Sequence, residues 1–185
     1  SFFTLLARLP LFTAIILLYG LIADATEADI EPIFAIYDHF VLNTTATFET
    51  EPRSEAERRA WFDAHDPRSH ALLVAKDPSS GDLLGWSGLS PWSPRAAYRR
   101  TAEVSIYIAP DAHRRGVGRA LMQALIKRAK TNRFGVLIAR IAGPSEASKA
   151  FHESAGFQPV GLMRRCGSKF RSLHDVLIMD LHLDG

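Results

Sequence analysis

The chain has 185 residues, which suits one domain with a substantial hydrophobic core. Its formal net charge is only +2, so the composition gives no sign of a nucleic-acid-binding protein. Cys166 is the only cysteine, which excludes an internal disulfide and a cysteine-based metal site, and no histidine spacing predicts a metal centre. A cytoplasmic location fits this cysteine usage.

Residues 1–19 form an apolar N-terminal extension that differs from the rest of the chain. Arg8 is the only charged residue among the first 20, and residues 9–23 are almost continuously apolar. Three interpretations stay open: a segment that packs on the domain or on a partner, a membrane anchor over residues 2–23, and a secretion signal. We favour packing over membrane contact and expect the domain to span residues 20–185.

The first half of this domain predicts a strand, two helices and a hairpin. The strands are expected at 20–25, 71–76 and 83–89, and the helices at 30–41 and 54–64. Apolar residues recur at helical spacing from Ile30 onward, and Thr26 is a suitable N-cap. Ser54 and Glu57 form a capping box at the start of the second helix. A turn-forming cluster at 77–82 joins two strands into the hairpin.

The second half alternates strands and helices after a loop at residues 90–101. Strands are expected at 102–108, 136–141, 159–163 and 175–183, and helices at 117–130 and 145–156. In the first of these strands, Glu103, Ser105 and Tyr107 face one side and apolar residues face the other. The order β-α-α-β-β-β-α-β-α-β-β predicts an α/β fold, in which helices cover a mixed sheet.

The run HRRGVGRA at residues 113–120 carries the strongest functional signal, and we call it the arginine cradle. Two glycines, Gly116 and Gly118, and three arginines lie here between a predicted strand and a predicted helix. Glycine lets the backbone approach an anion closely, and the first turn of a helix offers unpaired amides. Arginines add charge-assisted hydrogen bonds. The cradle therefore predicts a site for a phosphate-bearing ligand.

The cradle and the order of the elements resemble the GNAT superfamily of N-acetyltransferases. The family's phosphate motif, Gln/Arg-x-x-Gly-x-Gly/Ala, is similar to residues 113–118, with His113 in its first slot, and to residues 115–120. Residues 148–157 resemble the family's second helix beside coenzyme A, and His152 occupies the usual Tyr position. A further set of short segments occurs in the same order as in phosphinothricin and methionine sulfoximine acetyltransferases. These segments are Thr47-Phe48, Pro91-Trp92, Thr101-Ala-Glu103 and His174-Asp175.

This resemblance covers residues 20–183 and implies the GNAT fold, with a central mixed sheet flanked by helices and with the fourth and fifth strands splayed apart. It implies acetyl-CoA as cosubstrate and no metal, with the pantetheine arm along the fourth strand and the pyrophosphate in the cradle. The residues expected to bind acetyl-CoA are Ile106, Tyr107, Ile108, Arg114, Arg115, Gly116, Val117, Gly118, Arg119, Ser145 and Ser154.

Glu103 and His152 are the expected catalytic residues. Glu103 is the only carboxylate in its strand, and we expect it to act through a water as general base on the acceptor amine. The alternative is an ion pair with Arg95 or Arg99. His152 can protonate the leaving thiolate, or it can merely hydrogen-bond within its helix. The residues expected to bind the acceptor are Phe48, Trp92, Arg95, Tyr98 and Thr101.

By resemblance, the enzyme transfers acetyl directly, in a ternary complex, to the α-amine of a small amino acid or analogue of the phosphinothricin or methionine sulfoximine type. Its partner is then a small-molecule amine. The subfamily also implies a homodimer, in which Phe48 and the region of Lys169 complete a neighbour's site. Two alternatives stay open. One is an acetyltransferase for another amine, such as an antibiotic, a polyamine or a protein N-terminus, and the other is a non-catalytic CoA-binding module.

Overall fold

The computed structural model describes residues 22–143 and 145–184. The N-terminal extension, with its packing, membrane and signal interpretations, lies outside these residues. The strands are β1 Ile22–Asp24, β2 Leu72–Lys76, β3 Leu83–Pro91, β4 Thr101–Ile108, β5 Val136–Ala142, β6 Gln158–Lys169 and β7 Ser172–His182. The helices are α1 Ile30–Asn43, α2 Glu55–Asp63, α3 Val117–Thr131 and α4 Glu146–Ser154. Within the described ranges, no helix is both long and apolar enough to cross a bilayer.

The seven described strands form one mixed sheet in the order β1-β2-β3-β4-β5-β7-β6. All neighbouring strands are antiparallel except β4 and β5, which run parallel. The prediction of a mixed sheet covered by helices is therefore confirmed. The last two strands are longer than predicted, because residues 167–169 of β6 also pair with β7, beyond two irregularities in β6.

Different helices cover the two faces of the sheet. Tyr107 of β4 contacts the rings of Tyr37 and Phe40 from α1. The next residue, Ile108, lies instead beside Gly118 of α3, where an added Cβ would be 3.6 Å from the Ile108 side chain. Since neighbouring side chains of a strand point to opposite faces, α1 and α3 pack on opposite sides of β4. A core of buried apolar side chains fills the layers.

β4 and β5 are paired only where they begin. Their partners run from Thr101 with Val136 to Glu103 with Ile138, and no described residue of β5 pairs with β4 beyond Glu103. The expected splay is therefore confirmed. It opens a gap beside residues 104–108 of β4, on the edge that faces away from β3.

Candidate active site

A cavity of about 1820 Å³ lies at the gap between β4 and β5. Its walls come from the gap itself, from aromatic side chains of α1 and β3, from the loop at 44–49, from the cradle and from the start of α4. The predicted site residues that line it are Phe48, Glu103, Ile106, Tyr107, Ile108, Arg114, Arg115, Gly116, Gly118, Arg119, Ser145 and His152. The fold thus brings the cradle and both expected catalytic residues into one continuous site.

The cradle forms the amino-terminal end of α3. Gly116 is the N-cap at φ +83°, a left-handed conformation that glycine adopts without a Cβ penalty. No described side chain caps this end, and the Ala120 amide donates the first helical bond to the Gly116 carbonyl at 3.0 Å. The amides of residues 117–119 therefore point out of the helix. With exposed Arg114 and Arg119 at the same end, the cradle fits a pyrophosphate.

Two cradle residues support the fold around the anion site. Val117 is buried, so its side chain anchors α3 in the core and only its amide can face a ligand. His113 is the residue that departs from the family motif. Its Nε2–H donates to the Ile108 carbonyl at 3.0 Å. This bond ties the start of the cradle to the end of β4.

The backbone of β4 presents alternate residues to the gap. The Ala109 amide donates to the Leu84 carbonyl of β3 at 2.9 Å. Along an antiparallel pair, hydrogen-bonding groups alternate between the two edges of a strand. Ile106 and Ile108 therefore direct their backbone groups into the gap. Tyr107, which we expected to act with them, turns its backbone toward β3 and contributes its ring to the cavity wall.

An aromatic wall, which the sequence analysis did not identify, closes one side of the cavity. The Tyr107 ring lies 5.0 Å from the rings of both Tyr37 and Trp86. The Tyr37 hydroxyl is 2.8 Å from Thr47 Oγ1. Burial raises the pKa of Tyr37 to about 12 and raises the pKa of Tyr107 well above its ordinary value. Both phenols are therefore neutral near pH 7 and serve as hydrogen-bonding groups rather than as bases.

Glu103 lies at the mouth of the gap and pairs with Arg140 of β5. Arg140 Nε is 2.6 Å from Glu103 Oε1, and Arg140 Nη2 is 2.8 Å from Glu103 Oε2. An ion pair is thus present, but the expected partners, Arg95 and Arg99, were wrong. The parallel register explains the difference, because Arg140 stands two residues beyond Ile138, the partner of Glu103, on the same face of the sheet.

His152 is buried on α4 and lines the cavity. Its Nδ1–H donates to the Ser148 carbonyl at 2.8 Å, and its ring packs against Phe151 and Phe157. Burial lowers the pKa of His152, so the neutral ring predominates near pH 7 with a lone pair at Nε2. The intrahelical hydrogen bond that we considered is therefore present, and proton donation from Nε2 requires the charged ring.

The two serines expected near acetyl-CoA are placed differently. Ser145 lines the cavity and caps α4, since its Oγ accepts the Ser148 amide at 3.1 Å. Ser154 lies outside the cavity wall, and its Oγ donates to the Phe151 carbonyl at 2.7 Å. Of this pair, Ser145 alone borders the space where a ligand would lie.

Phe48 is the one acceptor candidate that lines the cavity. Trp92, Arg95, Tyr98 and Thr101 lie outside its walls in the single chain. Two charged residues that line this part of the cavity, Glu49 and Arg53, form an ion pair and were not predicted from the sequence. The Arg53 guanidinium lies 5.9 Å from the rings of Phe34, Tyr37 and Trp61. The position of Glu49 directly after Phe48 was the signal that could have drawn attention to it.

The loop at 44–49 is held against the β6–β7 hairpin of the same chain. Lys169 is 4% exposed, and its Nζ donates to the Thr47 carbonyl at 2.8 Å. Burial lowers the pKa of Lys169. The Phe48 ring covers Gly167 so closely that a Cβ there would lie 1.9 Å from it. Phe48 and the Lys169 region therefore meet each other within one chain.

Comparison with known proteins places this site in a family. The model of the Acetyltransferase (GNAT) family matches residues 33–157. The L-methionine sulfoximine/L-methionine sulfone acetyltransferase of Pseudomonas paraeruginosa (strain DSM 24068 / PA7) is 39% identical over 163 residues, which is 88% of this chain and 94% of that protein. The phosphinothricin N-acetyltransferase of Streptomyces coelicolor is 36% identical over 156 residues, or 84% of this chain and 91% of that protein.

A solved structure agrees with these relatives. The GNAT superfamily phosphinothricin acetyltransferase from Sinorhizobium meliloti, in complex with AcCoA, superposes with a TM-score of 0.83 at 36% identity and covers 87% of this chain and 86% of its own. In the described part of the chain, no group of three or more His, Cys, Asp or Glu side chains is arranged to hold a metal ion. The chain belongs to the acetyltransferase (GNAT) family and is an N-acetyltransferase.

Proposed function

We propose that this enzyme uses acetyl-CoA to acetylate the α-amine of a small amino acid or analogue of the methionine sulfone, methionine sulfoximine or phosphinothricin type. The observation that carries the proposal is the single cavity that runs from the cradle through the β4–β5 gap to Glu103. The activities named for the relatives support this acceptor class, and the Sinorhizobium meliloti neighbour was crystallised with AcCoA.

The cradle and the gap have complementary roles in holding acetyl-CoA. The amides and arginines of the cradle suit the pyrophosphate, and the backbone groups of Ile106 and Ile108 suit the pantetheine arm. When bound, acetyl-CoA supplies the thioester whose acetyl group is transferred. An amide of β4 that faces the gap can donate to the thioester carbonyl oxygen and stabilise the negative charge that develops there.

Glu103 takes the proton that the acceptor ammonium must lose, directly or through a water. The free amine then attacks the acetyl carbonyl carbon, so that a C–N bond forms as the C–S bond breaks and the thiolate leaves, and the second proton that the nitrogen loses as the amide forms passes to solvent. This is direct transfer, in a ternary complex. His152 donates a proton to the thiolate from its charged form. Because burial lowers the pKa of His152, the charged fraction near pH 7 is small, so this proton transfer uses a minor form of the enzyme.

The edge of the sheet supports a homodimer of this chain. Large apolar side chains are exposed along the β6–β7 hairpin, where β6 is the edge strand of the sheet. They are Val160, Leu162, Met163, Phe170 and Leu173. An exposed apolar edge strand is a place where another chain can pair. The mass of the protein in solution, measured by light scattering for the wild type and for a Leu162→Lys variant, tests this part of the proposal.

We further propose a cytoplasmic location, which the single, exposed cysteine supports.

A panel of acceptors tests the proposed reaction. Release of free CoA from acetyl-CoA is followed with methionine sulfone, methionine sulfoximine and phosphinothricin, and in parallel with spermidine, an aminoglycoside and a short peptide. We expect turnover with the amino-acid analogues to exceed turnover with the other amines. Preferred turnover of a polyamine or peptide would reassign the acceptor. Tight acetyl-CoA binding without turnover on any amine would indicate a CoA-binding module instead.

A further inference from the structure

The ion pair between Glu103 and Arg140 spans the mouth of the β4–β5 gap. Its two hydrogen bonds, of 2.6 and 2.8 Å, use both carboxylate oxygens. The Arg140 side chain is 52% exposed, whereas the Glu103 side chain is 19% exposed, and both line the cavity. Arg140 is therefore a cation that an incoming molecule can reach before it reaches the expected base.

The other cations beside the aromatic wall are less available to a ligand. The Arg53 side chain is 27% exposed and is held by Glu49 over a layer of aromatic rings. Lys169 is buried and donates to the Thr47 carbonyl. Arg140 combines exposure, a planar fork of donors and a position next to Glu103. It is therefore better placed than Arg53 or Lys169 to bind an acidic group of the acceptor.

We propose that Arg140 binds the α-carboxylate of the acceptor while Glu103 receives its ammonium group. The inference rests on the proposed function, because it assumes that the acceptor is an amino acid. A zwitterion can insert between the two side chains with opposite polarity, so that each charge exchanges one partner for another. The site has no net charge from this pair before or after, and no charge is left uncompensated. The guanidinium fork suits a carboxylate in a bidentate arrangement.

This arrangement also orients the reacting atom. With the carboxylate on Arg140, the α-nitrogen lies toward Glu103, where β4 and β5 begin to diverge. The group that loses its proton is then next to the base and at the entrance to the gap. Arg140 would therefore determine specificity, because a primary amine that lacks the carboxylate cannot use the fork and leaves the ion pair intact.

Two acceptors that differ only in the carboxylate test this inference. They are methionine sulfone and 3-(methylsulfonyl)propan-1-amine, compared by steady-state kinetics with the wild type, Arg140→Gln and Arg140→Lys. For Arg140→Gln we expect kcat/KM for methionine sulfone to fall about 10- to 100-fold, mainly through KM, because a charge-assisted bidentate contact is lost. Any loss that acts through the Glu103 carboxylate is shared by both acceptors, so kcat/KM for the amine should fall less, and the ratio of the two kcat/KM values should drop about 10-fold or more. Arg140→Lys should be intermediate, since it keeps the charge but not the fork.

Arg59→Gln is the matched control. Arg59 is 49% exposed and forms a similar two-bond ion pair with Glu27, but on α2 and outside the cavity. Arg59→Gln should leave kcat/KM for both acceptors unchanged. An equal loss on both acceptors in Arg140→Gln would mean that Arg140 only holds Glu103, and this would overturn the inference while the proposed function stands. If the wild type acetylates other amines but not methionine sulfone, both are overturned.

Discussion

A single methyl group at the helix N-cap within the cradle should separate the backbone requirement of the cradle from its chemistry. Gly116 has φ +83°, which an L-residue with a Cβ adopts only with strain. Gly118, two residues along, is not in the left-handed region, and a Cβ there would lie 3.4 Å from Phe151 and 3.6 Å from Ile108, which are ordinary contact distances. Alanine should therefore destabilise the fold at Gly116 but not at Gly118.

The magnitudes follow from the two conformations. An alanine in the left-handed region costs about 1–2 kcal/mol, so we expect Gly116→Ala to destabilise the fold by about that amount. Inside a helix, alanine is favoured over glycine by about 1 kcal/mol at most, so Gly118→Ala should be neutral or stabilising. For a domain of this size, 1 kcal/mol corresponds to a shift of about 2–4 °C in Tm. Gly116→Asn should lose less than Gly116→Ala, because asparagine tolerates this conformation better.

The assay is thermal unfolding of the ligand-free protein, followed by circular dichroism for the wild type and the three variants. Calorimetric titration with acetyl-CoA then measures binding. We expect Gly116→Ala to lower Tm by about 2–8 °C. It should also weaken the binding of acetyl-CoA, since the turn that orients the cradle amides must shift. A Gly116→Ala protein that melts at or above the wild-type temperature would refute the argument from its backbone conformation.

Four further outcomes are expected. Glu103→Gln should lower kcat by about 10²- to 10⁴-fold without weakening the binding of acetyl-CoA. A variant with full kcat at every pH would show that Glu103 is not the base. Because burial lowers the pKa of His152, the unfolded chain takes up this proton first as the pH falls below about 6.5, and the stability of the fold declines. Urea unfolding at pH 7.5 and 5.5 should therefore show a smaller decline in stability for His152→Gln than for the wild type. His65 and His70, whose pKa values burial also lowers, contribute to the decline that remains. His152→Ala should reduce kcat more than it weakens the binding of acetyl-CoA. A larger effect on binding than on kcat would mean that His152 has only a packing role. Cys166 borders the cavity, but direct transfer needs no thiol on the enzyme. The Cys166→Ser variant should therefore keep its activity, and its initial-velocity plots should still show the intersecting lines of a ternary-complex mechanism.

The cradle was predictable because its signal is local, whereas the gap was expected from the resemblance to the family. Gly116 and Gly118 with their arginines mark a strand-to-helix turn in eight consecutive residues. The alternation of Glu103 and Tyr107 assigns their faces before any partner strand is known. The structure therefore confirms the helices, the mixed sheet and the splay close to the expected positions.

The β6–β7 hairpin was underestimated because its turn carries no usual signal. Phe170 and Arg171 connect the strands, and both have positive φ, at 51° and 60°. Two-residue hairpin turns of this kind usually contain Asn-Gly or Asp-Gly. Without such a pair, the polar residues before the turn read as loop, although they are paired with β7.

The partner of Glu103 was unpredictable for a different reason. Arg140 is 37 residues away in sequence, and only the parallel register of β4 with β5 brings the two together. Arg95 and Arg99 are nearer along the chain, but sequence distance is a poor guide in a sheet built from crossover connections. Trp92 and Tyr98 lie outside the cavity of the single chain, so their role at the acceptor stays a prediction.

One structural event, the divergence of β4 from β5 after Glu103, connects both halves of the site. It releases the backbone of Ile106 and Ile108 from strand pairing, which leaves a row of groups for the pantetheine arm. Arg140 lies two residues beyond Ile138, the last residue of β5 that pairs with β4, and its long side chain reaches back to Glu103. If the strands stayed paired, the arm would have no free edge of β4 to bind. The cofactor site and the proposed acceptor site therefore meet where the two strands diverge, and a change that closes the gap should impair both together.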